Sequence, residues 1–343
     1  MRIALDATYS LGRNLSGVGV YSREILFGLA GTHPGATFQF CYRPHRFLRS
    51  LADSLPPNAG RHILRGTPRA DLFHALNQRV DAPARRTVAT FHDLFVMTGD
   101  YSSPEFRARF TEQARQAAAR CDAIIAISRF TASQVEALLG VESARIHVIP
   151  HGVRVPPAGA AAARENLVLC TGAIQRRKNT ARLVKAFEQM PAGWRLALAG
   201  ATDGYGAAEE LRAVEQSPRE ADIQVLGYVS PRQLDALYRR ARIFAFPSLD
   251  EGFGMPVLEA MAYGVPVVTS NCSALPEVAG DAALLVEPRS EEEIGAAMRR
   301  LAGDADLSAE FSRRGAARAR GFTWEAAVER TWDVYNQLIG PVS

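Results

Sequence analysis

The chain has four cysteines in 343 residues, and no two of them stand in a C-x-x-C pair. That argues against a disulfide framework and against the common zinc spacings. Cys170, inside the apolar run NLVLC, reads as a small core residue of a protein kept in a reducing compartment. No uninterrupted apolar stretch reaches the roughly 18 residues of a membrane-spanning helix. The N-terminus, MRIALDATYS, lacks the apolar segment and cleavage site of a secretory signal, so a cytoplasmic location is expected. Neither half has a complete G-x-G-x-x-G after its first strand, which disfavours a dinucleotide-dependent dehydrogenase. Lysine is nearly absent: among 40 basic residues only Lys178 and Lys185 are not arginine.

What is present is a globular composition, 47% apolar and 22% charged, in a chain long enough for two domains. The net charge of +4 is unevenly spread. Residues 1–164 hold 20 Lys and Arg against 12 Asp and Glu, and residues 165–343 hold 20 against 24. A basic first half fits an anionic membrane surface or a pyrophosphate-bearing acceptor, or simply a well-solvated surface. Nucleic acid is not expected, because the basic residues are not interleaved with aromatics as a stacking surface requires. The basic first half, with arginine-rich runs such as Pro104–Arg120, is expected to bind an anionic surface, so the protein is expected in the cytoplasm or peripherally on the inner membrane.

Strand and helix patterns alternate along both halves, which predicts an α/β protein with parallel sheets covered on both faces. In the first half, strands are expected at Arg2–Asp6, Thr37–Tyr42, Thr87–Phe91, Ala123–Ile127 and Ile146–Ile149. A glycine-bearing loop, Ser10–Gly19, should precede a helix from about Val20. The segment Pro150–Arg164, PHGVRVPPAGAAAAR, interrupts the rhythm and reads as a linker. The expected division is residues 1–150, a linker at 151–164, a second domain at 165–320 and a terminal helix at 321–343. Two doubly wound domains would place their ligand-binding sheet edges on a shared cleft.

The stretch FPSLDEGFGMPVLEAMAYGVPVVTS, Phe246–Ser270, carries the most chemistry. A buried strand ends at Pro247, the loop Glu251–Gly254 follows, and Pro256 opens a helix that stops at Gly264. Such a loop brings backbone N–H groups to a helix N-terminus, which suits a phosphate or a sugar oxygen. Glu259 stands in that helix among Val257, Leu258, Ala260, Met261 and Ala262. Its carboxylate is either one exposed position of a core helix or a ligand for a diol such as a ribose. Lys178 falls at a strand-to-helix junction, TGAIQRRKN; it is either a solvated turn residue or, with Arg177, the cation pair for a diphosphate. His92, in FHD after an apolar strand, is a structural histidine or a substrate contact. Ser16–Tyr21, SGVGVY, has only two of the three fingerprint glycines, Gly17 and Gly19. The DAD at Asp304–Asp306 reads as a helix cap rather than a metal site.

Taken together these segments resemble the retaining glycosyltransferase family 4, of GT-B fold. The resemblance covers nearly the whole chain, and its most specific element is the E-x7-E spacing of Glu251 and Glu259. TGAIQRRKN, IIAISRFTASQV, VIPHGV and SGVGVYSRE resemble further family segments. The resemblance implies two Rossmann-like domains facing each other across a cleft, with the last helix packing back on the first domain. It gives catalytic roles to His92, Lys178 and Glu251. It gives donor binding to Gly17, Gly19, Arg177, Lys178, Tyr228, Val229, Glu251, Gly252, Phe253, Gly254, Met255 and Glu259, with Glu259 on the ribose and Gly227–Val229 reading the base. Many members have Arg directly after the glycine matching Gly172; here that residue is Ala173. The implied reaction uses a nucleotide-diphosphate sugar and needs neither cofactor nor metal. SGVGVY, FHD and RKN look most like mannosyltransferases of bacterial surface-polysaccharide assembly, with GDP-mannose as donor and a saccharide or lipid-linked saccharide as acceptor. A UDP-sugar donor, a sugar-nucleotide epimerase of the same fold and an inactive binding subunit are the alternatives.

Overall fold

A computed structural model describes residues 1–12, 14–81, 84–157 and 163–340. The first stretch runs β1 (Arg2–Asp6), α1 (Gly17–Thr32), β2 (Thr37–Tyr42), α2 (Pro44–Ser50), β3 (Ala59–Ile63), β4 (Leu72–Ala75), β5 (Thr87–Phe91) and α3 (Phe95–Thr98). It continues through α4 (Pro104–Arg120), β6 (Ala123–Ala126), α5 (Arg129–Leu139) and β7 (Ile146–Val148). The second stretch runs β8 (Glu165–Thr171), α6 (Thr180–Phe187), β9 (Arg195–Ala199), α7 (Ala207–Glu215), β10 (Ile223–Gly227), α8 (Pro231–Arg240) and β11 (Ala241–Phe246). Then come α9 (Met255–Ala262), β12 (Val267–Ser270), α10 (Leu275–Ala279), β13 (Leu284–Val286), α11 (Glu291–Gly303), α12 (Ala305–Ala319) and α13 (Trp324–Ile339).

These elements form two compact units. One comprises Met1–Thr98, Pro104–Gly152 and the chain from Thr323; the other comprises Gly99–Ser103 and Val153–Phe322. Of the segment expected as a linker, residues 158–162 lie outside the described residues.

The first unit holds a seven-stranded sheet in the order β3-β2-β1-β4-β5-β6-β7, with every adjacent pair parallel. Its central strands are buried along their whole length, as β4, β5 and β6 show, because helices cover both faces. Two strands escape the sequence pattern. β3, AGRHI, is an edge strand and can afford polar residues, and β4, LFHA, carries a buried histidine where a core strand would be apolar. α13 belongs to this unit and packs on α1. Their approach is close enough that a Cβ on Gly28 would lie 2.4 Å from Val328 Cγ2, so any larger residue would force Val328 or the helix to shift.

The second unit holds a six-stranded parallel sheet in the order β10-β9-β8-β11-β12-β13. Each sheet starts from a central strand, winds one way, then returns to wind the other. The reversal falls between β1 and β4 in the first unit and between β8 and β11 in the second. Ligands of open α/β sheets bind at the C-terminal ends of the strands flanking such a reversal. Among the described residues no helix is long and apolar enough to cross a membrane.

Candidate active site

In the second unit the residues following β8 and β11 meet at the reversal point. After β8 the chain makes one tight turn, Arg176–Lys178, and Asn179 then adopts a left-handed conformation with φ 62°. The buried Asn179 amide donates to the carbonyls of Pro247 at 2.9 Å and Pro288 at 2.6 Å, tying the turn to the loop after β11. The backbone reinforces this: Leu249 N–H donates to the Arg177 carbonyl at 2.7 Å.

Three donors converge on one oxygen, Glu251 Oε1. Lys178 Nζ lies 2.5 Å away, Arg177 Nη1 2.7 Å, and Ser248 Oγ donates at 2.7 Å. Both cationic side chains and the carboxylate are about nine-tenths buried. Burial opposes the charge on Glu251, yet Arg177, Lys178 and the Ser248 hydroxyl outweigh it and hold the carboxyl at about 2. Burial pushes the Lys178 ammonium below its ordinary value, and Glu251 resists that shift. The Lys178 ammonium also sits 4.5 Å from the centre of the Phe246 ring. Beneath its stem lies Gly172, where a Cβ would come within 3.7 Å of the ammonium nitrogen. Ser248 carried no sequence signal, because a lone serine after a strand is unremarkable until its hydroxyl is seen on Glu251.

The loop Glu251–Gly254 is held at its start by Ser273, whose Oγ accepts from Glu251 N–H at 3.1 Å. Gly252, Phe253 and Gly254 are buried, and the Phe253 ring meets Phe322 edge-on. Gly254 caps α9 with φ 114°, a conformation that favours glycine. Met255 begins the helix, so this end of α9 offers the partial positive charge of its N-terminus beside Glu251.

Glu259, one turn further on, is only partly buried and takes a single described hydrogen bond, from Tyr238 Oη to Oε2 at 2.9 Å. Burial holds its carboxyl above the ordinary value, against the Tyr238 bond. Tyr238, itself buried, reaches Thr171 Oγ1 at 3.3 Å. Tyr238 thereby links Glu259 Oε2 to the end of β8. Tyr238 was not legible as a partner, since at sequence level it is one more apolar position of α8.

Tyr228 and Val229 follow β10 at the sheet edge, apart from the Lys178–Glu251 cluster. They line a cavity of about 260 Å³ with Leu167, Ala197, Leu226 and Leu237, and the Tyr228 ring is exposed. Gly200 N–H donates to the Gly227 carbonyl at 2.8 Å, and Gly172 N–H to the Ala199 carbonyl at 2.9 Å. These bonds join the three strand ends into one backbone ledge. Asp304 caps α12, with Oδ1 accepting from Leu307 N–H at 2.9 Å.

In the first unit the glycine-loop expectation needs correction. Gly17 and Gly19 do not sit in a loop: they open α1, with Ser16 as its N-cap. Ser16 Oγ accepts from Gly19 N–H at 3.3 Å, so that N–H is already engaged. Gly19 is required for space, since a Cβ there would lie 2.9 Å from the Tyr9 carbonyl. His92 lies at the end of β5, 7% exposed. Its Nε2 lies 2.9 Å from the Leu76 carbonyl. A carbonyl only accepts, so Nε2 carries the proton and Nδ1 is the ring's acceptor. Burial lowers its pKa to about 4, so the ring is neutral at pH 7. Asp6, Arg43 and Asn77 gather at the ends of β1, β2 and β4, beside the reversal point. The sequence reading missed them because they come from three separate segments.

The chain has relatives among known proteins. The model of glycosyl transferases group 1 matches residues 156–318, and that of glycosyltransferase family 4 matches residues 14–155. The chain belongs to this glycosyltransferase family. An O-antigen chain mannosyltransferase B of Escherichia coli is 32% identical to the transferase over 283 residues, 78% of this chain and 74% of that protein. A D-inositol 3-phosphate glycosyltransferase of Xylanimonas cellulosilytica is 31% identical over 284 residues, 76% and 67% of the two chains. Among solved structures, a sucrose-phosphate synthase from Thermosynechococcus elongatus superposes with a TM-score of 0.80 at 21% identity, covering 98% of the transferase and 99% of that chain. That likeness establishes the GT-B fold.

Proposed function

We propose that this glycosyltransferase moves mannose from GDP-mannose, with retention, to a saccharide or lipid-linked saccharide of bacterial surface-polysaccharide assembly. The observation that carries the reading is the convergence of Lys178, Arg177 and Ser248 on Glu251 beside the N-terminus of α9. A buried pair of cations next to a helix N-terminus suits a departing diphosphate, whose charge grows in the transition state. In this reading the bond from the anomeric carbon to the diphosphate breaks as the acceptor oxygen bonds on the same face. The acceptor's proton passes to a diphosphate oxygen. Lys178 and Arg177 stabilise that leaving group without a metal, Glu251 holds both cations in place, and Glu259 takes the ribose hydroxyls. Tyr228 and Val229 flank the base. His92, through Nδ1, accepts from a hydroxyl of the bound sugar. The mannosyl assignment is supported by the 32% identity to the mannosyltransferase.

An anionic membrane surface is the further partner. The most exposed large apolar side chains described in the first unit come from α2, the residue that caps it and the end of β3, ahead of Phe106 on α4. Leu48 is 78% exposed, Leu51 60% and Ile63 46%. Between Pro44 and Arg69 the chain holds five arginines and one acidic residue, Asp53. Apolar tips among arginines suit an acidic lipid surface.

Thermal-shift titration with GDP, UDP and their sugars tests the donor. A ligand present at 100 times its Kd stabilises the folded state by about 2.7 kcal/mol. GDP-mannose should give the largest rise, and nucleotide release should require acceptor and survive a chelator. A larger rise with UDP and UDP-sugars would replace the GDP assignment.

A further inference from the structure

Four buried polar side chains in the first unit form a continuous chain behind His92. Tyr335 Oη of α13 lies 2.5 Å from His74 Nδ1 of β4. His74 Nε2 lies 2.8 Å from Thr90 Oγ1 of β5, and Thr90 Oγ1 lies 2.8 Å from Tyr21 Oη of α1. His74, Thr90 and Tyr335 are wholly buried, and Tyr21 is 1% exposed. The Tyr21 ring then meets His92 edge-on, with centroids 4.8 Å apart and planes at 79°.

Neither fold stability nor local propensity requires this chain. An apolar set of similar volume would fill the same space without desolvating three hydroxyls and an imidazole. Burial lowers the His74 pKa to about 3, so its ring is neutral and passes one hydrogen bond in each direction. A fully paired buried network fixes its members in one geometry. His92 needs such fixing. Its single described hydrogen bond, to the Leu76 carbonyl, sets the tautomer, and the tilt of the ring about that bond is left to its packing neighbours, Tyr21 and the His151 ring at 5.4 Å. The T-shaped contact with Tyr21 limits that tilt on one side, and Thr90 pins the hydroxyl end of Tyr21.

We propose that Tyr21 is a positioning residue for His92, and that Thr90, His74 and Tyr335 hold Tyr21 in place. The C-terminal helix thereby takes part in aiming His92 Nδ1. The inference rests on the reading of His92 as a group that contacts the donor sugar. The direction of Nδ1, and not its chemistry, is what the chain controls.

The test uses Thr90→Val and Tyr335→Phe, which keep volume and remove one hydroxyl each, with Thr90→Ser as the variant that retains it. Imidazole NMR spectra of the whole protein read the tautomer, chemical shifts and line widths of the His92 ring, and steady-state kinetics are measured alongside. The wild type and Thr90→Ser should show one Nε2–H tautomer at His92. Thr90→Val and Tyr335→Phe should keep that tautomer but show shifted and exchange-broadened His92 ring signals, as the ring moves about its fixed hydrogen bond, and a fall in kcat of about tenfold, with nucleotide affinity unchanged. In a His92→Ala background, Thr90→Val should lower kcat no further. Unchanged His92 signals in folded Thr90→Val would overturn the proposal, as would a loss of kcat that persists without His92. Full activity of His92→Ala alone would instead refute the role given to His92, and the spectra would still decide whether Tyr21 positions it.

Discussion

Lys178 Nζ and Glu251 Oε1 meet at 2.5 Å although 73 residues separate them in the chain. The sheet brings them together: β8 and β11 are parallel neighbours, and both residues lie just beyond the strands' C-terminal ends. Glu251 is the centre of that cluster, because Lys178, Arg177 and Ser248 all turn toward it.

Unequal stability losses should follow from this asymmetry. Lys178→Met leaves Glu251 with Arg177 and Ser248, whereas Glu251→Gln leaves two buried cations without their counter-charge. Breaking a buried pair costs about 3–5 kcal/mol, so Glu251→Gln should approach that range and Lys178→Met should fall below it. Urea denaturation of the two variants checks the order. Equal losses would mean that Lys178 alone is the effective counter-charge of Glu251.

Turnover should respond differently. Lys178→Ala should lower kcat on the order of 10²-fold, as for the loss of one donor to a developing anion. Lys178→Arg should recover part of it, since the charge returns in another shape. A normal rate in Lys178→Ala would assign the diphosphate to Arg177.

Glu259→Ala should weaken nucleotide diphosphate binding by about tenfold or more, and Glu259→Gln less, because an amide still bonds to a diol. Calorimetry on folded protein reads the affinity. Unchanged binding in the Ala variant would remove the ribose role and leave Glu259 as the partner of Tyr238.

Acid should destabilise the protein through its buried histidines before its carboxylates. His74 and His92 have pKa values lowered by burial to about 3 and about 4, from an ordinary 6.5. In the unfolded chain they take up protons below pH 6.5, while the folded protein keeps them neutral until those lower values. The unfolded state thus binds more protons, and stability falls as pH drops from 6.5 toward 4. Each such histidine contributes about 1.4 kcal/mol per pH unit in that window. Glu251 acts lower: its stabilisation is present above pH 4.5 and is lost toward pH 2. Denaturation at a series of pH values should show the first slope, and His74→Phe should flatten it if the variant folds.

Binding to anionic vesicles should depend on the α2–β3 surface. Leu48→Glu with Leu51→Glu should abolish it, and about 0.5 M salt should release the wild type, because the Debye length then falls to a few ångströms. Sedimentation with acidic and neutral vesicles measures this. Equal binding to both lipids would refute the electrostatic contribution.

Local patterning by itself determined a great deal of this protein. Alternating apolar runs and amphipathic segments gave nearly every central strand and the long helices, since buried parallel strands must be apolar along their length. The glutamate spacing on either side of Gly254 and Pro256 marked the loop and helix that carry Glu251 and Glu259, because glycine and proline constrain the backbone locally. Only tertiary structure decided what those groups touch. β3 and β4 stayed hidden because one is a polar edge and the other carries a histidine whose partners, Thr90 and Tyr335, lie far along the chain. The helical start at Gly17 depended on a cap by Ser16 and on the close approach of Gly19 to the Tyr9 carbonyl. The joining of Ser248 to Glu251 and of Tyr238 to Glu259 likewise needed the folded sheet. A hydrogen bond is settled by distance and direction in space, and sequence spacing fixes those only within a single helix, strand or turn.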